Sequence, residues 1–316
     1  MRKYITKRLL VMIPVFFGIT IMIFLLTNLA PGSPVDAMIT DTMTPEDIEE
    51  LRVSMGLDQP LYVQYGKWLG RLFQGDLGYS YRTKTSVISV VSERIAPTLL
   101  LNGMVLLLSV VLGIFLGVLA AYKPYSVWDY TASGLSFIGA GVPTFFIALV
   151  FIYLFAVKWN LLPTGGMYTN ASNKTFAEAC RHMVLPTAVM TISMVGNYIR
   201  QTRSAMLEVM GEDYIKMARA KGMREKRVIL LHALRNSMLP IVTCIGLSVP
   251  FLVGGSVVTE QIFGWPGLGS LMVLSVTYRD YPVIMGITAY ISIAVMLINL
   301  IMDLLYGILD PRIRNN

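Results

Sequence analysis

Six long stretches without a charged side chain constrain the fold of this chain more than any other feature. Each approaches or exceeds the roughly 20 residues that a helix needs to cross the hydrocarbon core of a bilayer. They are Leu9–Val35, Ile95–Tyr122, Tyr130–Val157, Met183–Ile199, Asn236–Thr259 and Tyr281–Met302, of which the fourth is the shortest. Continuous rather than alternating apolar runs exclude a closed β-barrel. We therefore expect an all-α membrane protein with six transmembrane helices.

The charged residues indicate how the chain is oriented. Only 14% of the residues are charged, and the net charge is +7. If the N-terminus, the 123–129 turn, the 200–235 loop and the C-terminus share one side, that side holds 16 basic and 7 acidic residues, against 10 and 12 opposite. The positive-inside rule then predicts that both termini and the 200–235 loop are cytoplasmic. The basic excess is a topology signal, and no nucleic acid is expected as a partner.

The most charged stretch is Glu212–Pro240, called here the basic segment. Apolar and small residues recur at helical spacing on both sides of Gly222, which predicts two short helices. Gly222 can adopt a positive φ without steric cost and so permits a sharp turn between them. The simplest interpretation is a basic loop at the membrane surface, and the alternative is a docking surface for a soluble protein.

Glycines and prolines interrupt some of the apolar stretches. Irregular backbone at membrane depth is tolerated only where protein or a water-filled cavity covers it. Such breaks are therefore candidates for the lining of a pathway, with a packing kink as the alternative. The candidates are Gly139, Gly141, Pro143, Pro250, Gly254 and Gly255. Separately, Gly113 and Gly117 have the GxxxG spacing that lets a second helix approach closely.

One sizeable segment, residues 31–94, connects the first two apolar stretches. Thr44 followed by Pro45 predicts a helix start, and Asp47 stands where an acidic capping-box residue would be. Aromatic residues within Leu61–Phe73 predict a second helix. That helix could lie on the membrane surface, lie under a docking protein, or cap the spans.

The chain lacks the motifs of common catalysts. It has no Gly-x-x-x-x-Gly-Lys-Ser/Thr loop for ATP, no His-Glu-x-x-His and no Gly-x-Ser-x-Gly. Its two histidines and two cysteines lack metal-site spacing. No ionisable carboxylate or base stands near the centre of a predicted span, as ion-coupled carriers usually require. We therefore expect no catalytic residue, no metal and no cofactor on this chain, and an energy source outside it.

Several short blocks share a pattern. In the basic segment they are Asp213-Tyr214, Ala218–Gly222, His232–Asn236 and Leu239-Pro240. Outside it they are Gly56–Pro60, Gly75–Gly78, Glu260–Gly269 and Arg279–Pro282. Together they resemble the permease subunits of ABC importers, in the form of the dipeptide and oligopeptide permease B family. The chain keeps only Ala218 of the Glu-Ala-Ala triplet of general importers. Its spacing from Gly222 to Pro240 is also longer than theirs, as in the peptide branch.

The resemblance implies the type I ABC importer permease fold, with a long external loop after the first helix and cytoplasmic coupling helices between helices four and five. The implied layout is a cytoplasmic N-terminus (1–8), a first span (9–30), an external loop (31–94), a transmembrane domain (95–307) with its coupling loop (206–237), and a cytoplasmic C-terminus (308–316).

The resemblance also implies partners and roles. This non-catalytic chain would form half of a pathway in a prokaryotic inner membrane, with a second homologous permease, two cytoplasmic ATPases that carry ATP and Mg²⁺, and an extracytoplasmic solute-binding protein. For ATPase coupling, Ala218 and Gly222 would provide fit, and Asp213, Arg219 and Lys221 would provide orientation. The implied substrates are di- and oligopeptides, with nickel chelates, opine metallophores or glutathione as alternatives. A stand-alone secondary transporter or channel is the remote alternative.

Overall fold

The computed structural model describes residues 2–29, 32–37, 39, 43–169 and 174–309, and the expected all-α class is confirmed for this part of the chain. In chain order the helices are α1 (Arg2–Leu29), α2 (Pro45–Ser54), α3 (Leu61–Phe73), α4 (Val87–Tyr122), α5 (Val127–Gly141), α6 (Thr144–Phe151), α7 (Phe176–Met210), α8 (Asp213–Ala220), α9 (Glu225–Arg227), α10 (Arg235–Ser248), α11 (Phe251–Gly254), α12 (Val257–Ile262), α13 (Leu268–Thr277) and α14 (Tyr281–Leu309).

Shorter elements supplement these helices. Pro34–Ala37 forms a 3₁₀ turn. Two π-helical segments continue α-helices: Ile152–Lys158 follows α6, and Val228–Leu234 joins α9 to α10. Of the expected first span and C-terminal segment, residues 30 and 310–316 lie outside the described residues.

Four helical stretches are long and apolar enough to cross a membrane, namely Thr6–Leu29, Val87–Tyr122, Glu225–Gly254 and Tyr281–Leu305. A fifth candidate is the pair Val127–Gly141 and Thr144–Lys158, which bends by 105° at the predicted break. Helix α7 contains the expected fourth span but is not among them, because polar side chains interrupt its apolar run. By length and composition the described residues thus provide four or five spans rather than six.

The helices group into two compact units. The first takes the described residues up to Thr98 and those from Pro266 onward. Its buried core lies where α4, α13 and α14 meet, and it comprises Val87, Val91, Leu268, Leu271, Val283 and Ile287. Helix α1 packs along α14, where Arg8 and Asp303 form an ion pair of 3.1 Å.

The connection between α1 and α4 is anchored on this unit. The capping box at α2 is confirmed: the Asp47 amide donates to Thr44 Oγ1 at 3.3 Å, and the Thr44 amide donates to Asp47 Oδ2 at 2.8 Å. Helix α3 packs on α1 through Tyr65, whose hydroxyl lies 3.0 Å from Thr20 Oγ1 and whose ring packs against Phe24. The inner face of α3, through Tyr65, therefore covers part of α1.

The second unit comprises Leu99–Trp265 and is organised around α7, which packs against α5, α6 and α10. Helix α4 also approaches α7 closely. A Cβ at Gly113 would overlap the Cβ of Tyr198, and one at Gly117 would lie 2.6 Å from the Cβ of Thr202. The close helix approach that the GxxxG spacing predicts is thus confirmed.

Candidate functional site

The basic segment leaves the end of α7 and turns sharply. After Gly211 the chain forms the eight-residue helix α8, and the turn that follows places Gly222 at a φ of +74°. The predicted left-handed turn at Gly222 is therefore confirmed. A Cβ at Gly222 would meet nothing within 4 Å, so this position requires a backbone conformation rather than space inside the chain.

The second predicted short helix is not separate. Helix α9 begins at Glu225 and runs through the π-helical segment into α10, so that Glu225–Gly254 forms one 30-residue stretch. The buried side chains of Val228 and Ile229, just beyond the charged residues 224–227, hold this longer helix in place. The prediction of two short helices is thus correct for α8 and wrong for its successor.

The inner face of α8 is part of the chain's own core. Ile215 and Ala218, three residues apart, lie on one side of the helix and are buried. They belong to a group called here the basal cluster, which comprises Ala121, Met206, Ile215, Ala218, Val228, Ile229 and Ala233. Ala218 is predicted to fit against a partner, yet its side chain is only 9% exposed and packs inside this chain.

The outer face of α8 exposes apolar residues between charges. Tyr214 is 42% exposed and Met217 is 57% exposed. Lys221 is also exposed, at the end of the helix. A short amphipathic helix held on a core, with an aromatic and a thioether side chain outward, has the composition of a protein docking surface.

The charged residues of α8 have partners within the chain. Arg219 Nη2 lies 2.8 Å from Glu225 Oε1 across the Gly222 turn, and Lys216 Nζ lies 2.8 Å from Asp213 Oδ1. The hydrogen bond from Arg219 to Glu225 raises the pKa of the Arg219 guanidinium above its ordinary value. Arg219 and Asp213, which are predicted to orient a partner, thus also brace the turn and the helix themselves.

An ion pair that sequence reasoning missed joins α5 to the end of α7. Arg203 Nε and Nη2 lie 2.7 and 2.8 Å from the two carboxylate oxygens of Asp129, which is 5% exposed. Asp129 Oδ2 also accepts a hydrogen bond of 2.9 Å from the Tyr125 amide. The two partners are 74 residues apart, so no local pattern could have paired them.

Helix α7 carries an exposed polar stripe that the sequence analysis also overlooked. Asn197, Arg200, Ser204 and Glu208 are exposed at helical spacing. The Asn197 amide lies 3.6 Å from Cys244 Sγ on α10. Such a face is unfavourable against lipid chains and indicates contact with water or protein. The stripe could have been found from its periodicity, but three of its four residues lie beyond the charge-free window Met183–Ile199.

The predicted break near the middle of the third apolar stretch is present. Helix α5 ends at Gly141, Val142 is extended, and α6 begins after Pro143. Gly141 and Pro143 are exposed at the bend, whereas a Cβ at Gly139 would overlap the carbonyl oxygen of Ile192 on α7. At Gly139 the structure therefore favours the packing interpretation, and the lining role of the other two stays a prediction.

The break in the fifth apolar stretch is also present. Helix α10 ends before Pro250, α11 ends at Gly254, and Gly255 has a φ of +68°. The buried Asn102 on α4 donates to the carbonyls of Phe251 and Leu252 at 3.0 and 3.2 Å. This satisfies two acceptors that the end of the helix releases. The lining role of Pro250, Gly254 and Gly255 stays a prediction.

Comparison with known proteins accounts for nearly all of the chain. Residues 113–315 match the family described as "Binding-protein-dependent transport system inner membrane component", and residues 1–102 match its N-terminal counterpart, "Binding-prot-dependent transport system membrane comp, N-term". The oligopeptide transport system permease protein AppB of Bacillus subtilis (strain 168) is 44% identical over 314 residues, which cover 99% of each chain. The dipeptide transport system permease protein DppB of Escherichia coli (strain K12) is 40% identical over 337 residues, which cover 100% of this chain and 99% of that protein.

These matches agree with the apolar helices and with the blocks that resemble importer permeases. The chain is a multi-pass membrane protein, and it belongs to the family of binding-protein-dependent transport system inner membrane components.

Proposed function

We propose that this chain is the permease subunit of an ATP-driven importer for di- and oligopeptides, and that it forms half of the translocation pathway. The observation that carries the proposal is α8: it is seated on the basal cluster by Ile215 and Ala218, while Tyr214 and Met217 point outward. Such a helix can be displaced by a soluble protein and can transmit that displacement to the transmembrane helices. The names of AppB and DppB support peptides as the substrate class.

The partners follow from what this chain lacks and from its family. Two ATPase subunits with ATP and Mg²⁺ would dock on α8, and a second homologous permease would complete the pathway as a heterodimer. The outer face of α3, where Tyr62 and Phe73 are largely exposed, is suited to the solute-binding protein. In this arrangement ATP hydrolysis belongs to the partner subunits.

Coupling would use the residues singled out above in two ways. Gly222 sets the turn, and Arg219 with Glu225 stiffens it from the outside. Asp213 and Lys221 remain at the surface to meet the ATPase, while Ala218 transmits displacement inward rather than contacting the partner.

Six spans are consistent with this arrangement if α7 and the bent α5–α6 pair are counted. Helix α7 has 35 residues and so a length of about 52 Å, which exceeds a bilayer core of roughly 30 Å. Its polar stripe would face the water-filled pathway together with the break residues Gly141, Pro143, Pro250, Gly254 and Gly255. Both termini and the 206–237 loop would lie in the cytoplasm of a prokaryotic cell, and residues 31–94 outside.

The coupling proposal is tested at Gly222 in the whole assembly, with both permeases, the ATPases and the binding protein in nanodiscs. Gly222→Val forces a β-branched residue to a positive φ at a cost of at least roughly 1–2 kcal/mol. We expect it to abolish ATPase stimulation by the loaded binding protein. Gly222→Asn should retain much of it, because Asn tolerates this conformation. Gly134→Ala, at a helical glycine with nothing within 4 Å, is the matched control.

Full stimulation of Gly222→Val would refute the coupling role. The same assay decides the substrate, by loading the binding protein with a dipeptide, a longer peptide, a nickel chelate, an opine metallophore or glutathione. Stimulation by peptides alone supports the proposal. Uphill transport by the purified chain without ATPases would instead favour a stand-alone carrier.

A further inference from the structure

An apolar groove runs along the outside of α4 next to the basic segment. It has a volume of about 740 Å³ and is lined by Val110, Val111, Ile114, Phe115, Val118, Leu119, Tyr122, Lys226, Ile229, Leu230 and Leu234. Val111 and Phe115 on one wall and Leu230 on the other are each at least half exposed. The lining is almost entirely hydrocarbon, and Lys226 is its one charged member.

The length of the groove matches one leaflet of a bilayer. From Val110 to Tyr122 the helix rises about 18 Å, whereas half of a hydrocarbon core of roughly 30 Å is about 15 Å. Both residues lie in a stretch that is long and apolar enough to span the membrane. The wall is therefore long enough to reach from the middle of a membrane to one interface, as a single acyl chain does.

Among the described residues, the basic groups next to this wall lie near its Tyr122 end. Lys226 lines the groove there, and Lys123 follows Tyr122 directly, with its ammonium 5.6 Å from the centre of the Tyr122 ring. The neighbouring carboxylate of Glu225 is bonded to Arg219. An apolar slot with one lysine in its lining and a second lysine beside its Tyr122 complements a lipid with an anionic headgroup.

We propose that this groove binds an anionic phospholipid of the leaflet next to the basic segment. Its acyl chain would lie along Val111, Ile114 and Phe115, and its phosphate would lie at Lys226 and Lys123. Ile229 belongs both to the groove and to the basal cluster that seats α8. An occupied groove would thus support the core beneath the docking helix, and this consequence rests on the function proposed above.

The test uses the complete assembly in nanodiscs that contain phosphatidylcholine and phosphatidylglycerol in equal parts. Native mass spectrometry after release counts the phosphatidylglycerol that stays bound. Because each lysine near an anionic surface contributes roughly a fivefold preference, we expect about that loss for Lys226→Gln and a greater one when Lys123→Gln is added. Val111→Trp, which fills the groove from an exposed position, should remove the lipid without affecting the lysines. Lys158→Gln is the matched control.

Unchanged phosphatidylglycerol in both the double variant and Val111→Trp would overturn the proposal. So would an efficient disulfide between Phe115→Cys and a cysteine on a span of the second permease, because a helix would then occupy the groove. Peptide-stimulated ATPase activity of the parent assembly is recorded in parallel. If that activity is present while no lipid is retained, the lipid site fails and the importer function stands.

Discussion

Asp129 and Arg203 illustrate what a single buried contact contributes between α5 and the C-terminal part of α7. The Asp129 carboxylate accepts hydrogen bonds from Arg203 Nε, Arg203 Nη2 and the Tyr125 amide, so its hydrogen-bonding capacity is largely used. Removal of one member of a buried pair leaves the other uncompensated and typically costs about 3–5 kcal/mol. The Arg203 side chain is 30% exposed, which reduces that penalty.

We therefore expect Asp129→Asn to lower the free energy of unfolding by about 2–3 kcal/mol. Asp213→Asn is the comparison, because its pair with Lys216 is almost fully exposed and should contribute less than about 1 kcal/mol. Thermal and SDS-induced unfolding of the detergent-solubilised chain measure both. Equal effects of the two substitutions would show that the Asp129 pair is not buried in the folded chain.

Tyr81, in the connection between α3 and α4, gives the stability of the chain a pH dependence. Burial, together with the nearby Asp280 carboxylate, raises the pKa of Tyr81 from 10.0 to about 12. Because the folded state favours the neutral phenol, the stabilisation is complete below pH 10 and is lost as the pH rises through 12. Ultraviolet titration should show a tyrosine that ionises near pH 12, and this ionisation should be absent in Tyr81→Phe. A Tyr81→Phe curve that matches the parent would contradict this assignment.

At the scale of whole elements, features that depend on neighbouring residues can be distinguished from features that depend on tertiary contacts. The cap of α2, the turn at Gly222 and the breaks near Pro143 and Pro250 were predictable, because each depends on residues adjacent in sequence. The continuation of α9 into α10 was not predictable, because it depends on burial of Val228 in the basal cluster, which includes Ala121 from α4. The inward direction of Ala218 was missed for the same reason.

The contact of α4 with α7 depends on two glycines. Gly117→Leu places a branched side chain where Thr202 and the carbonyl of Ile199 already stand. We expect it to separate the helices and to abolish accumulation of folded protein. Gly103→Leu, in the same helix but with nothing within 4 Å, should leave accumulation near the parent level. Fluorescence-detected size exclusion reports both, and equal yields would show that α4 and α7 do not pack this closely.

At the scale of the whole molecule, orientation is the central prediction. In a chain lacking its native cysteines, Met217→Cys on α8 should react with an impermeant maleimide only in inverted vesicles. Tyr62→Cys on α3 should react only in right-side-out vesicles. Labelling of both positions from the same side would refute the topology that the basic residues predict. The count of spans could not be settled from composition, because α7 combines a buried apolar face with a polar one.

The stretch Glu225–Gly254 has a mechanical consequence. Its part before the break near Pro250, from Glu225 to Ser248, has 24 residues and is about 36 Å long. One end begins three residues after the Gly222 turn, and the other ends just before the Pro250 break, beyond which Asn102 bonds the carbonyls of Phe251 and Leu252. Under the coupling role proposed above, we expect a displacement of α8 by a few ångströms to tilt this helix about the Pro250 break. The shift at the Glu225 end and the rotation at the Pro250 end would then belong to one movement.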